Sequence, residues 1–344
     1  MSDTSQAGQA GDILFSVIIP NWNGRHHLAG CFDSLARQAF RDFEVILVDN
    51  ASTDGSAGFV RGHFPDAGIV ELHKNAGFAG GVNAGIRAAK GEYIVLLNND
   101  TEAEPHWLEK IALAIREHPH VWIFASKLLN YYDRDIVDSA GDALDLSLGP
   151  YKIGEYEPSE NHREQRFIFG ACGGGGCYKR DLFDRIGLFD EDFFAYFEDI
   201  DLSFRANWAG FRCLSVPGAV VYHKVAATSK ADTRSRDRFD VMRRRNYLFM
   251  IVKNYPIPFL VHHGPFICAA HFLKFILNLC RGRFRVAFMT QWEIVKGLPK
   301  MVAKRRAIMA GRRITNAEMK SRCAPKYGGW RGFFRKKLVS GVGP

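Results

Sequence analysis

An apolar leader is missing from this chain of 344 residues. Its first dozen residues, MSDTSQAGQAGD, are small and polar, so 1–13 reads as a disordered tail with no signal peptide. Cysteine is scarce, with seven residues scattered from 31 to 323. An odd, scattered set fits a reduced cytosolic compartment better than a disulfide framework. Cys172 and Cys177 lack a second ligand pair at zinc spacing and read as small packing residues. No P-loop is present, and the first strand runs into PNWNGR where a dinucleotide fold would carry GxGxxG. An ATPase and a dinucleotide dehydrogenase are therefore disfavoured. HExxH and GxSxG are also absent. There is no internal repeat and no low-complexity tract.

Acid is what the last third lacks. Residues 230–344 hold 26 Lys and Arg against 5 Asp and Glu, a net of +21. Residues 1–229 hold 20 against 32, a net of −12. A basic block of this kind seeks an anionic partner. No nucleic-acid module is recognisable, so a nucleic acid is not expected. The stretch 257–280, IPFLVHHGPFICAAHFLKFILNLC, is long enough to cross a bilayer. Three histidines, a lysine and a central Gly-Pro weaken a spanning reading. Its flanks alternate bases with apolar groups, which predicts amphipathic helices lying on an anionic membrane. A location peripheral to the inner face of the cell membrane follows as an expectation.

Before that block, strand and helix patterns alternate at short spacing. Apolar runs at 15–19, 43–50, 68–75, 93–97 and 121–126 predict strands. Helical patterns fall at 25–39 and 77–91, the second with Gly91 as its stop, and a third starts at Pro105. The alternation predicts a mostly parallel sheet flanked by helices. Ligands bind such sheets off the carboxyl ends of the strands. Asp49, Asn75 and Asp100 each follow a strand, so one edge gathers all three. From GEYIVLLNNDTE (91–102) alone, a turn and a site for a metal or phosphate are both open readings. Residues 127–168 are irregular. FGACGGGGCYK then brings a run of four glycines, 173–176, and EDIDLSFRANWAG predicts a helix with Glu198, Asp199 and Asp201 in its first turn. FRCLSV and AVVYH read as two short strands.

Five segments in order carry a resemblance: SVIIPNWNG, VDNASTDGS, NAGFAGGVNAGIRAAKGEYIVLLNNDT, GLFDEDFFAYFEDIDLSFRANWAGFR and VPGAVVYHK. Over roughly 14–224 the chain resembles a family 2 glycosyltransferase with a GT-A (nucleotide-diphospho-sugar transferase) fold. Within that family it is most similar to bacterial rhamnosyltransferases of cell-surface polysaccharide synthesis. The resemblance implies an α/β catalytic domain at 14–229 and a basic helical extension at 230–344. It implies a donor pocket for a dTDP- or UDP-sugar from Pro20, Asn23, Asp49, Asn75, Gly77, Asn83, Asn98 and Asn99. Asp49 would accept a hydrogen bond from the pyrimidine ring. NND (98–100) matches the family's metal-binding DxD, with Asn98 departing from its first Asp. Asp100, with His223, would hold Mg²⁺ or Mn²⁺ across the donor's phosphates. Asp199 would be the general base, with Glu198 either supporting it from behind or binding acceptor hydroxyls. The acceptor implied is a glycan or a lipid-linked glycan. A sugar-nucleotide nucleotidyltransferase is the nearest enzyme rival, disfavoured by PNWNGR. An inactive glycan-binding relative is the rival of another class, disfavoured by intact FEDID and NND.

Overall fold

The computed structural model describes residues 14–146, 149–224 and 233–324. The expected tail at 1–13 lies outside them. Four strands open the chain: β1 (Phe15–Asn21), β2 (Phe43–Asp49), β3 (Gly68–Glu71) and β4 (Tyr93–Leu96). Helices α1 (Arg25–Ala36), α2 (Ser56–His63) and α3 (Gly77–Ala88) connect them. β1 pairs in parallel with both β2 and β4, and β2 with β3. β5 (Thr101–Ala103), α4 (Trp107–Glu117) and β6 (Ile123–Asn130) follow, then β7 (Val137–Ser139), β8 (Asp142–Asp145), β9 (Gly149–Lys152), β10 (Phe167–Ile168) and β11 (Gly176–Lys179). α5 (Asp181–Ile186), α6 (Glu198–Trp208) and β12 (Cys213–His223) complete the sheet region. The remainder is helical: α7 (Thr233–Asn254), α8 (Ile257–Cys280), α9 (Phe284–Ala310) and α10 (Asn316–Ser321).

The main sheet runs β10-β12-β6-β11-β4-β1-β2-β3. β11 enters antiparallel between β4 and β6, so the sheet is mixed, with parallel blocks on either side of that strand. Strands buried on both faces read as continuous apolar runs because alternate side chains serve opposite layers. Val17 and Ile19 pack with Leu28 and Phe32 of α1 and Ile111 of α4. Ile18, Val48 and Leu96 pack with Val82 and Ile86 of α3 and Leu202 of α6.

Three local expectations are corrected. The two short strands expected near 211–223 are one strand, β12, whose register against β6 shifts between Val216 and Val220. Pro217 and Gly218 sit at that irregularity, where a missing N–H is tolerated. The strand expected over 68–75 ends at Glu71. Gly91 does not stop α3, which ends at Ala88 with Ala89 already extended. Its role is contact: a Cβ there would lie 2.6 Å from the Ser16 backbone nitrogen.

A third core ignores the change in charge at residue 230. Phe193, Phe204 and Trp208 are buried with Phe249 and Met250 of α7, Tyr255 just beyond it and Met301 of α9. The first and third helices of the basic block are thus walls of the same folded body.

Candidate active site

The carboxyl ends of β1, β2 and β4 meet in one polar row. Pairing of Asn21 with Asp49 sets the two ends level. Asn21 Nδ2 donates to Asp49 Oδ1 (3.4 Å) and to Ser52 Oγ (3.3 Å), while its Oδ1 accepts from Asn99 Nδ2 at 2.6 Å. Asp49 also accepts from the Ser52 N–H at 3.2 Å and is buried. Asn23 Oδ1 accepts from the Thr53 N–H at 2.8 Å, fixing the loop after β1 over the loop after β2. Pro20 is the penultimate residue of β1, beside Gly81 of α3.

The loop before α3 forms the next wall. Asn75 Oδ1 accepts from the Gly77 N–H at 2.8 Å, a tight Asx turn. Gly77 has φ of +74°, and a Cβ there would strike Phe194. Asn50, which sequence reading passed over, holds this loop from beneath. Its Nδ2 donates to the Gly77 carbonyl and its Oδ1 accepts from the Ala76 N–H, both at 2.8 Å. Asn83 presents no spare polar group to a ligand. Its amide is spent on both backbone groups of Phe189 (2.9 and 3.0 Å) and on Glu191 Oε1 (2.9 Å). In this fold it ties α3 to the 189–191 segment.

Asp100 follows β4 and faces His223 at the end of β12, with Oδ1 3.5 Å from Nε2. His223 Nδ1 meets Asp138 Oδ2 at 2.9 Å, and Asp138 Oδ1 accepts from Lys152 Nζ at 2.8 Å. Burial works to lower the imidazole's pKa, but the carboxylates of Asp100 and Asp138 outweigh it and hold it up at about 9. Among the described residues no group of three His, Cys, Asp or Glu side chains is gathered for a metal. A divalent ion taking the proton's place would meet one carboxylate and one imidazole, leaving its other positions to phosphate oxygens and water. Asp138 on the far nitrogen is the partner that orients such a ligand. The pair therefore fits an ion shared with a ligand, not an all-protein cage.

Asn98 connects this end to the start of α6 through the glycine run. A Cβ on Gly174 would lie 2.9 Å from Asn98 Nδ2, so the glycine run allows that approach. Next to it, the Gly173 N–H donates to Asp199 Oδ2 at 3.1 Å, and the Ile200 N–H donates to Asp199 Oδ1 at 2.8 Å. Burial raises the Asp199 pKa despite these donors. Glu198 and Asp142 are raised well above the ordinary carboxylate, first by burial and then by the charge of Asp199. Glu198 Oε2 and Asp142 Oδ2 are buried with no hydrogen-bond partner among the described residues. Asp201, two residues on, is spent in the core on Arg205 (2.9 Å), Lys253 (2.8 Å) and Asn254 (2.9 Å), a structural role. Of the aromatics that invite sugar stacking, Phe193 and Trp208 are core and Trp22 is exposed.

Asp138, Asp142, Lys152 and Asn246 were missed by sequence reading. The first three lie in the irregular stretch 127–168, where no period marks a strand. Asn246 is wholly buried in α7 and donates to the carbonyls of Phe193, Ala195 and Tyr196 at 2.7, 2.8 and 2.9 Å.

Residues 16–187 match the family described as "Glycosyl transferase family 2". A PGL/p-HBAD biosynthesis glycosyltransferase of Mycobacterium bovis (strain BCG / Pasteur 1173P2) is 35% identical over 62% of this chain and 76% of its own. An N-acetylglucosaminyl-diphospho-decaprenol L-rhamnosyltransferase of Mycobacterium tuberculosis (strain ATCC 25618 / H37Rv) is 26% identical over 70% and 84%. Among solved structures, GalNAc-T7 with UDP, GalNAc and Mn²⁺ aligns with a TM-score of 0.55 at 17% identity, covering 71% of this chain and 48% of that one. The mannosyltransferase PcManGT of Pyrobaculum calidifontis, in complex with GDP-Man and Mn²⁺, aligns at 0.50 and 18%, covering 88% and 86%. At these identities the structures speak to the fold alone.

Proposed function

The chain belongs to glycosyl transferase family 2 and is a glycosyltransferase; from that premise we propose that it moves L-rhamnose from dTDP-rhamnose, with inversion, to a hydroxyl of a lipid-linked or cell-surface glycan. The donor's pyrimidine rests against Asp49, and its sugar reaches across Asn98 and Asn99 toward α6. Asp100 and His223 would hold a divalent ion, whose chemistry would be to offset charge on the leaving nucleoside diphosphate. Asp199 takes the acceptor's hydroxyl proton. The freed oxygen bonds to the anomeric carbon on the face opposite the bond that breaks, and that bond's electron pair leaves on the nucleotide.

One observation carries this reading. The Asp199 carboxylate is pinned by two backbone N–H groups beside the glycines that abut Asn98, so a base and a donor-side amide share one floor. The rhamnosyl and lipid-diphosphate parts lean on the Mycobacterium tuberculosis relative's name. For Asp199→Asn the expected outcome is a folded protein that binds dTDP as before and transfers no sugar. Retained turnover removes the base assignment. In parallel, dTDP should raise the unfolding temperature more than GDP does, since only the ligand that fits stabilises the folded state.

The same reading sets the protein on the cytoplasmic face of an anionic membrane. α8 is one helix long and apolar enough to cross a membrane by composition, and only 6% of that window is buried. Phe266 and Phe272 of α8 and Phe288 and Trp292 of α9 are exposed. Apolar side chains interleaved with bases suit the headgroup boundary.

A further inference from the structure

A cavity of about 810 Å³ lies between the turn at 191–194, α7 and α9. Phe194 separates it from the donor side. The Phe194 carbonyl accepts from the Ala79 N–H at 3.1 Å, and its ring leaves no room for a Cβ on Gly77. The cavity therefore backs onto the loop that leads into Glu198 and Asp199.

Its lining mixes apolar side chains with four acids and three arginines. Val241, Met242, Val286 and Met289 supply the apolar part. Every acid in the lining is already matched: Glu191 with Arg87 (3.6 Å), Asp192 with Lys300 (2.6 Å), Asp237 with Arg283 (2.5 Å) and Glu293 with Arg245 (3.4 Å). Arg238 and Arg285 line the same space; Arg285 Nε donates to the Met289 sulfur at 3.3 Å, and neither arginine has a carboxylate partner among the described residues. Two guanidiniums that no carboxylate neutralises, over an apolar floor, suit a phosphate joined to a hydrocarbon. Met289 is 41% exposed and lies beside Phe288 and Trp292, so the lining is continuous with the exposed apolar face of α9.

We propose that this cavity seats the diphosphate and first prenyl units of a lipid-linked acceptor, with Arg238 and Arg285 on the phosphates. The inference rests on the transferase reading above and names its acceptor class. It requires the chain to feed the acceptor sugar past Phe194 toward Asp199 while the lipid leaves along α9.

The test is calorimetric titration of the full-length protein with farnesyl diphosphate. Wild type should bind it, and Arg238→Ala/Arg285→Ala should weaken binding at least tenfold, with dTDP binding unchanged as the check on folding. Met289→Glu should weaken it as well, by removing an apolar wall and by placing a carboxylate beside Arg285. Equal binding by the double variant overturns the proposal. So does displacement by dTDP, which would put the probe in the donor pocket, or equal affinity for inorganic pyrophosphate, which would make this an anion site only. Failure of the Asp199→Asn prediction leaves these outcomes untouched, because none of them reads turnover.

Discussion

At the scale of single residues, the start of α6 gathers a set of acids that share little solvent. Asp199, Glu198 and Asp142 are all raised, burial leading in each. Asp199 alone has two backbone donors to its carboxylate, which favour its ionised form over those of the other two. The acid limb of kcat/KM should then lie above the ordinary carboxylate value of about 3.9, measured as a pH–rate profile. Asp142→Asn imitates the protonated acid and should leave transfer and that limb in place. Its effect is on stability. A carboxyl whose folded pKa is raised favours folding below its unfolded pKa and loses that contribution as pH rises through the folded value. Asn cannot ionise, so the variant should melt higher than wild type at mildly alkaline pH and equally at acid pH. A variant that melts lower at alkaline pH would show the Asp142 charge to be stabilising.

At the scale of elements, the segment feeding α6 is strained and held from outside. Phe194, Tyr196 and Phe197 have φ of +64°, +70° and +70°, each costing on the order of 1–3 kcal/mol for a non-glycine residue. Asn246 repays this by donating to three carbonyls of that segment, and Arg245 adds bonds to Asp192 and Phe193. Asn246→Leu leaves those carbonyls unmatched, roughly 1–3 kcal/mol each where buried. A base displaced by about 1 Å can cost on the order of 100-fold in rate. The expected result is a steep fall in kcat with little change in dTDP affinity, checked by steady-state kinetics beside titration. A variant that loses both equally would show a general loss of fold. Legibility in the sequence divides along the same line. The places of Asp49 and Asp100 at strand ends were readable because an unbroken apolar run marks a doubly buried strand and the polar residues that end it. Asn246 was not, because its partners lie some 50 residues away on a turn with no period. The antiparallel entry of β11 was equally hidden, since Gly176–Lys179 is too short to declare a direction.

At the scale of the whole molecule, the charge boundary at 230 and the packing boundary do not coincide. Lys253, almost wholly buried, bridges Asp190 (2.6 Å) and Asp201 (2.8 Å), and Lys304 of α9 reaches Asp190 as well. Burial would raise these acids, but the lysines overcome it and hold both below the usual range. Their contribution is present above the unfolded pKa and is lost as pH falls through the folded one. Lys253→Met should accordingly destabilise most at neutral pH, by about 3–5 kcal/mol for a broken buried pair, with the gap narrowing in acid. Truncation at 229 would strip Phe249, Met250, Tyr255 and Met301 from the third core and leave Phe193, Phe204 and Trp208 uncovered. Such a chain should aggregate, so deletion cannot test what the basic helices bind. Phe288→Ser/Trp292→Ser can, because both side chains are about two-thirds exposed and their loss leaves the core intact. The double variant should keep the wild-type unfolding temperature yet fail to pellet with anionic vesicles in high salt. At low salt the bases still contribute, at about 1 kcal/mol for each near the surface, and partial binding should return. Wild-type protein that stays in the supernatant at both salts would remove the membrane from this picture.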